Sequence, residues 1–297
     1  MADKKKILFI INPVSGVKHK KKQELPRIIE EIFPKEEFLC NISYTEYAGH
    51  ARLLAAQAVE DNLDIVVAVG GDGSINDIAR ALTFSQTKLG IIPLGSGNGL
   101  SHFLKIPFQL KKALEVIKEE AVIKADTVTV NNELFVSIAG LGFDASVAKH
   151  FAEGSSRGFF SYLKSVLSLY FNYRPKKYHI TIDGNEIVER ALMVNFANSN
   201  QFGYKTTIAP QADITDGLVD ITIIKKMPLL KIPIVIFKLF RGKIDQSRYV
   251  LTLKANEALI TRKKGKYLNL DGEPIRFEKE IHLKVNAASL QIIVPKV

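Results

Sequence analysis

The sequence predicts an α/β domain built on an open, doubly wound, mostly parallel sheet, followed by a mostly antiparallel β domain. Three observations carry that expectation. Apolar strand-like runs alternate with amphipathic helical spacings from Ile7 to Glu120. From about Val122 strand-like runs dominate, with hairpin-turn pairs at Asn131-Asn132 and Gly184-Asn185. Glycine-rich turns fall just past predicted strands, where open α/β sheets bind their ligands.

The elements follow in order. Ile7–Ile11 reads as a strand ending at Asn12-Pro13. Leu25, Ile28, Ile29 and Ile32 space as one helix face, with Pro26 expected in the first turn and Pro34 just past the end. Phe38, Cys40, Ile42 and Tyr44 alternate as a strand, and Ala51, Leu54, Ala55 and Ala58 mark a helix. Ile65–Val69 reads as a buried parallel strand, Ile75–Leu82 as a helix, Leu89–Ile92 as a strand and Leu110–Glu120 as a helix. The later strand-like runs are Thr127–Val130, Leu134–Ile138, Tyr178–Ile182, Ala191–Ala197, Leu218–Ile224, Ser247–Leu253, Ala258–Arg262, Ile281–Val285 and Leu290–Val294. Phe160–Asn172 is the helical exception. The expected domains are 1–125 and 126–297, with the final strand packing back near the first.

Composition narrows the partners. The chain has 297 residues and a formal net charge of +10, which favours anionic partners such as nucleotides, nucleic acid or acidic lipids. Cys40 is the only cysteine, which excludes an intrachain disulfide and a cysteine-based zinc site. No signal-peptide pattern and no bilayer-spanning apolar stretch is found, so a cytoplasmic, membrane-peripheral protein is expected. Met227–Phe240 and Phe160–Tyr173 are apolar enough to help dock on a membrane, with core packing the expected role of both.

The most informative segment is Val69-Gly70-Gly71-Asp72-Gly73-Ser74. Glycines at a strand-to-helix turn let backbone approach a ligand, and the helix start offers unpaired N–H groups suited to phosphate. Asp72 is anomalous beside phosphate and calls for a cation or a proton-transfer role. Asn12-Pro13-Val14-Ser15-Gly16 and Pro93-Leu94-Gly95-Ser96-Gly97-Asn98-Gly99 are further turns after strands. Leu100 stands where a dinucleotide fingerprint needs its last glycine, so that motif fails, and no P-loop spacing exists. Asp213, Asp216, Asp271 and Glu273 supply carboxylates downstream, in Asp-Gly settings that singly read as turns.

In this order and spacing the set resembles the diacylglycerol kinase/sphingosine kinase superfamily of lipid kinases. The resemblance rests on Asn12–Gly16, Gly70–Ser74, Pro93–Asn98, Asp216-Gly217-Leu218 and Asp271-Gly272-Glu273, and covers essentially the whole chain. It implies a C-terminal β-sandwich carrying a lipid site, with a cleft between the domains. It implies that Gly70, Gly71, Gly73 and Ser74 cradle ATP phosphates, with Asn12, Ser15, Gly16, Thr45, Gly95, Ser96, Gly97 and Asn98 around the nucleotide. Asp216 resembles a Mg2+-associated Asp, with the Leu218 carbonyl beside it. Glu273 resembles a general base supported by Asp271, whereas in sphingosine kinases the Asp matching Asp72 takes the catalytic role, and the sequence leaves both open. Ser74 and Asp77 stand where many members have Thr and Glu. The Gly95–Asn98 wording tilts toward a sphingoid acceptor, since bacterial diacylglycerol kinases commonly read GTxND there.

The implied activity is transfer of the ATP γ-phosphate to a lipid hydroxyl, of diacylglycerol or sphingoid type, at an anionic membrane, with Mg2+; a homodimer is the candidate assembly. An NAD kinase or other small-molecule kinase is the enzyme rival. A non-catalytic module binding anionic membrane or nucleic acid is the rival from another class, and it lacks zinc spacing, a helix-turn-helix or an RNA-binding aromatic pattern.

Overall fold

A computed structural model of the chain describes residues 4–14, 19–95, 97–147, 168–201, 206–264 and 266–296. The chain divides into two compact units, Met1–Asp126 with Ala288–Val297, and Thr127–Ala287.

The first unit holds a parallel sheet in the order β2-β1-β3-β4, with β1 Lys5–Ile11, β2 Phe38–Tyr44, β3 Ile65–Gly70 and β4 Lys88–Pro93. Every residue of β3 is buried, which is why its sequence is continuously apolar rather than alternating. Helices cover the sheet. Leu25, Ile28 and Ile29 of α1 (His19–Ile32) and Leu110, Leu114 and Ile117 of α5 (Leu110–Glu119) share a core with Ile7, Phe9, Ile11, Val67 and Val69. Each such side chain contributes roughly 1.5–3 kcal/mol when fully buried. Helix α2 (His50–Glu60) packs with α3 (Asp72–Leu82), whose buried Ile75, Ile78, Ala79 and Leu82 follow helical spacing. A short α4 spans Gly99–Phe103. The end of the last strand, β16 (Glu280–Ile293), joins this sheet in parallel, with Ile292 beside Leu89.

The second unit is a β-sandwich. One sheet pairs β16 with β13 (Glu257–Arg262), β13 with β8 (Lys176–Ile182) and β8 with β9 (Asn185–Ala191), all antiparallel. The other runs β12-β11-β10-β7-β14-β15, with β7 Ile138–Gly142, β10 Met193–Ala197, β11 Val219–Ile224, β12 Val250–Ala255, β14 Lys266–Leu270 and β15 Glu273–Phe277. Between them lie Tyr178, Ile180, Ile260 and Leu283 against Val194, Phe196, Ile221, Ile223, Leu268 and Leu270. Helix α6 (Ile232–Phe240) follows β11.

Several elements differ from expectation. Helix α1 begins at His19, so Pro26 lies inside it rather than in its first turn. The run Leu134–Ile138 splits into β6 (Glu133–Phe135) and β7, because the N–H groups of Val136, Ser137 and Ile138 bond to a carboxylate instead of a strand. The two expected final strands are one, of 14 residues, with a positive-φ residue at Ala288. Strands β9 and β15 were hidden because charged residues interrupt them, as in Asn185–Ala191, and β14 because it is short. Core packing holds for only part of Met227–Phe240, since Leu230, Ile234 and Phe237 are exposed. Residues 160–167 of the expected helix lie outside the described residues, and 168–172 are helical.

Candidate active site

The parallel register places the ends of β1, β2, β3 and β4 along one edge, and the sequence-selected residues of the first unit gather there. The Asn12 N–H donates to the Val69 carbonyl at 3.1 Å, and the Thr45 N–H to the Ile11 carbonyl at 2.9 Å. Asn12 also donates from Nδ2 to Ser74 Oγ at 3.2 Å and accepts the Val14 N–H on Oδ1 at 3.0 Å. Ser74 therefore faces the Asn12 turn from the first turn of α3. Ser15, Gly16 and Ser96 lie outside the described residues.

The two glycine turns are locked together. The Asn98 N–H donates to Asp72 Oδ2 at 2.7 Å, and the Gly99 N–H to Asp72 Oδ1 at 2.8 Å. Asn98 in turn closes its own loop, accepting the Gly95 N–H at 3.1 Å and donating to the Gly95 carbonyl at 2.7 Å. The Gly70 carbonyl accepts from Leu94 at 2.8 Å and Gly95 at 3.1 Å. Glycine is needed for this approach: a Cβ on Gly95 would stand 2.4 Å from Gly71 Cα, and one on Gly97 2.9 Å from Asp72 Oδ2. Asn98 itself holds φ +51°, a conformation Asn tolerates better than most residues. The first-turn N–H groups of α3, with Gly73 among them, have no partner within the helix and form an anion-suited end. Burial pushes the Asp72 carboxyl up, and the Asn98 and Gly99 N–H groups oppose that shift. Burial likewise raises Asp77, against Arg80 and Arg52 nearby.

The second unit carries the downstream carboxylates. Asp271, with φ +47°, stands at the β14–β15 turn before Gly272 at φ +97°. Its Oδ2 accepts the Val136 N–H at 2.9 Å, and its Oδ1 accepts Ser137 at 3.0 Å and Ile138 at 2.8 Å. Three donors on one carboxylate pin the hairpin whose next strand opens with the exposed Glu273. Asp216 precedes β11. Its Oδ1 accepts the Leu218 N–H at 3.0 Å, and its Oδ2 takes the Lys254 ammonium at 2.7 Å. Lys254 also lies 3.5 Å from Asp220 Oδ2, and its pKa is raised by the Asp216 hydrogen bond. The positive charge that the resemblance assigns to a resident cation at Asp216 is supplied here by Lys254. These residues do not fit a resident dication, which would have to displace a like charge. Among the described residues no group of three or more His, Cys, Asp or Glu side chains is placed to hold a metal ion.

Sequence reasoning missed a buried polar group on the second sheet. Asn195, Gly140 and Asn269 stand side by side across β10, β7 and β14. Above them Asp144 accepts from Asn269 Nδ2 at 2.9 Å and Asn195 Nδ2 at 3.4 Å. A Cβ on Gly140 would lie 1.9 Å from Asp144 Oδ2, so only glycine leaves room for the carboxyl. Burial pushes Asp144 up to about 6, opposed by the Asn269 amide. The available signal was a lone Asn in each of two otherwise apolar strands, Met193–Ala197 and Leu268–Leu270.

Residues 6–130 match the family model of the diacylglycerol kinase catalytic domain, and 137–294 that of the YegS C-terminal NAD kinase beta sandwich-like domain. Diacylglycerol kinases of Staphylococcus aureus strains bovine RF122 / ET3-1 and MRSA252 are each 29% identical over 274 residues, covering 91% of this chain and 86% of theirs. A solved diacylglycerol kinase structure from Bacillus anthracis str. Sterne shares the fold with TM-score 0.75 and 19% identity, over 99% of this chain and 98% of that one. A further structure from the same strain reaches TM-score 0.79 at 21% identity, over 99% of both chains.

Three outcomes follow from this geometry. Gly95→Ala drives a methyl into Gly71 and should weaken ATP binding about tenfold or more, because overpacked contacts cost about 1–3 kcal/mol, with circular dichroism unchanged; unchanged affinity in calorimetry would separate the loops from nucleotide binding. Without nucleotide, Mg2+ or EDTA should leave Tm unchanged, whereas Lys254→Met should make Tm rise with Mg2+; a Mg2+-dependent wild type would restore a resident cation. Asp144 has a raised folded pKa, so its contribution to stability is full below its ordinary pKa and lost as pH rises through about 6. Asp144→Asn should therefore raise Tm relative to wild type at pH 7.5 more than at pH 4, and an equal difference at both would place the pH response elsewhere.

Proposed function

The chain belongs to the diacylglycerol kinase family of lipid kinases, and we propose that it transfers the γ-phosphate of MgATP to the free hydroxyl of diacylglycerol. The observation that carries the reading is the double capture of Asn98 and Gly99 by Asp72, which holds two backbone turns at the carboxyl edge of a parallel sheet. Phosphoryl transfer needs positioning and charge stabilisation more than covalent help from the protein. Gly70, Gly71, Gly73 and Ser74 would meet the phosphates, flanked by Asn12, Ser15, Gly16, Thr45, Gly95, Ser96, Gly97 and Asn98. Mg2+ arrives as the counter-ion of ATP.

In this reading the acceptor oxygen forms a bond to the γ-phosphorus as the bond to the β,γ-bridging oxygen breaks and ADP leaves. The hydroxyl proton passes to Glu273. Two observations favour Glu273 over Asp72 as that base. Both Asp72 oxygens already accept backbone N–H groups, which suits a positioning residue. Glu273 is exposed and rides on a hairpin that Asp271 fixes. The acceptor follows the names of the curated relatives. The Gly95–Asn98 wording gives no support to a sphingoid acceptor, because Gly97 and Asn98 pack on Asp72 within the first unit. A net charge of +10 supports work at an anionic membrane surface.

The purified protein with γ-labelled ATP and Mg2+ should label diacylglycerol in preference to sphingosine or NAD. Label in sphingosine or NAD alone would overturn the acceptor assignment. Glu273→Gln should lower kcat about 10²–10⁴-fold, the usual worth of a general base, with KM for ATP unchanged. Asp72→Asn should raise KM for ATP as well as lower kcat. Full turnover by Glu273→Gln would move the base to another group.

A further inference from the structure

Helix α6 buries one face and leaves the other bare. Ile232, Val235 and Leu239 pack with Ile224, Met227 and Ile244, at the spacing of a single helix face. Leu229, Leu230, Ile234, Phe237 and Phe240 are exposed, Leu230 by 88% and Phe237 by 61%. Single exposed apolar residues are ordinary, but a contiguous group marks an interaction surface. Cations surround the group: Lys231, Lys238, Arg241 and Lys243, with no acidic residue between Leu229 and Lys243. The Arg241 guanidinium lies 5.3 Å from the centre of the Phe237 ring, so charge and apolar surface are interleaved.

More positive charge lies next to the helix. Ile232 also packs against the cluster of Phe143, Val147, Tyr170 and Leu192, as do Leu169 and Tyr173, which line a cavity of about 790 Å³. Its described lining includes Arg174, Lys176, Lys177, Arg190 and Arg262 and no carboxylate. The Arg262 guanidinium lies beside the Tyr178 and Tyr173 hydroxyls there. A surface of this kind matches an acidic phospholipid layer on two counts, apolar and electrostatic. The nine-residue helix is about 14 Å long at 1.5 Å per residue, far short of a span. Among the described residues no helix is long and apolar enough to cross a membrane.

We propose that α6 and the helical turn before it, Leu229–Lys231, form the membrane-docking element, with Leu230, Ile234 and Phe237 entering the interface of an acidic bilayer while the cations beside them meet lipid phosphates. The proposal rests on the reading that the acceptor is a membrane lipid. The test is flotation of the full chain with phosphatidylcholine vesicles, with and without phosphatidylglycerol, in low and high salt. The wild type should float with the acidic vesicles and less so in high salt. The double variant Leu230→Ser, Phe237→Ser should bind them about tenfold or more weakly, as loss of two interfacial anchors requires. It should keep wild-type turnover on monomeric short-chain diacylglycerol, which also shows that it folds. Lys176→Glu with Lys177→Glu should lose binding to acidic vesicles only. A double variant that floats like the wild type overturns the proposal. So does a wild type that ignores all vesicles and dimerises through this face, with the variant monomeric. Flotation lost in the double variant, in a protein that phosphorylates no lipid, would uphold docking while removing the proposed reaction.

Discussion

Two hydrogen bonds to one carboxylate hold the carboxyl edge of the parallel sheet in shape. Asp72 sits at the start of α3 and accepts the Asn98 and Gly99 N–H groups at 2.7 and 2.8 Å. Hydrogen bonds to a carboxylate acceptor are among the strong ones and oppose the cost of burying it. The Gly71–Gly95 approach, the Asn98 loop and the start of α4 all hang on that bridge. The acid that looks out of place in a phosphate-type turn is thus the tie between two turns that are 26 residues apart at Asn98.

The second unit uses the same device with a different result. Asp271 takes three N–H groups from the break between β6 and β7 and so fixes a hairpin rather than a loop pair. Asp216 and Asp220 share the Lys254 ammonium. Asp144 has amide donors alone, and its pKa is pushed up to about 6.

Much of the first unit was legible in the sequence because its strands are buried on both faces and its helices carry regular apolar stripes, as in Ile75, Ile78, Ala79 and Leu82. The glycine turns were legible, but one of the constraints on them was not. Gly95 is required by Gly71, a neighbour remote in sequence, as well as by any ligand. The second unit was less readable because side-chain parity there is set by partner strands. Nothing local tells that Asn195 and Asn269 flank the same Gly140, or that Asp271 would cut the run Leu134–Ile138 in two. Which face of α6 is exposed was not legible either, since an apolar segment suits both core and docking surface until its packing is known.

The return of residues 288–297 to the first unit sets an order of events during synthesis. Domains tend to fold from the N-terminus as they leave the ribosome. Here the strand that lies beside Leu89 is translated only after the entire second unit. Until then the β4 edge has open backbone groups, the kind of edge that invites pairing with another chain. A nascent copy is therefore most exposed to aggregation while its sandwich is being made, and the emergence of Ile292 and its neighbours closes that window.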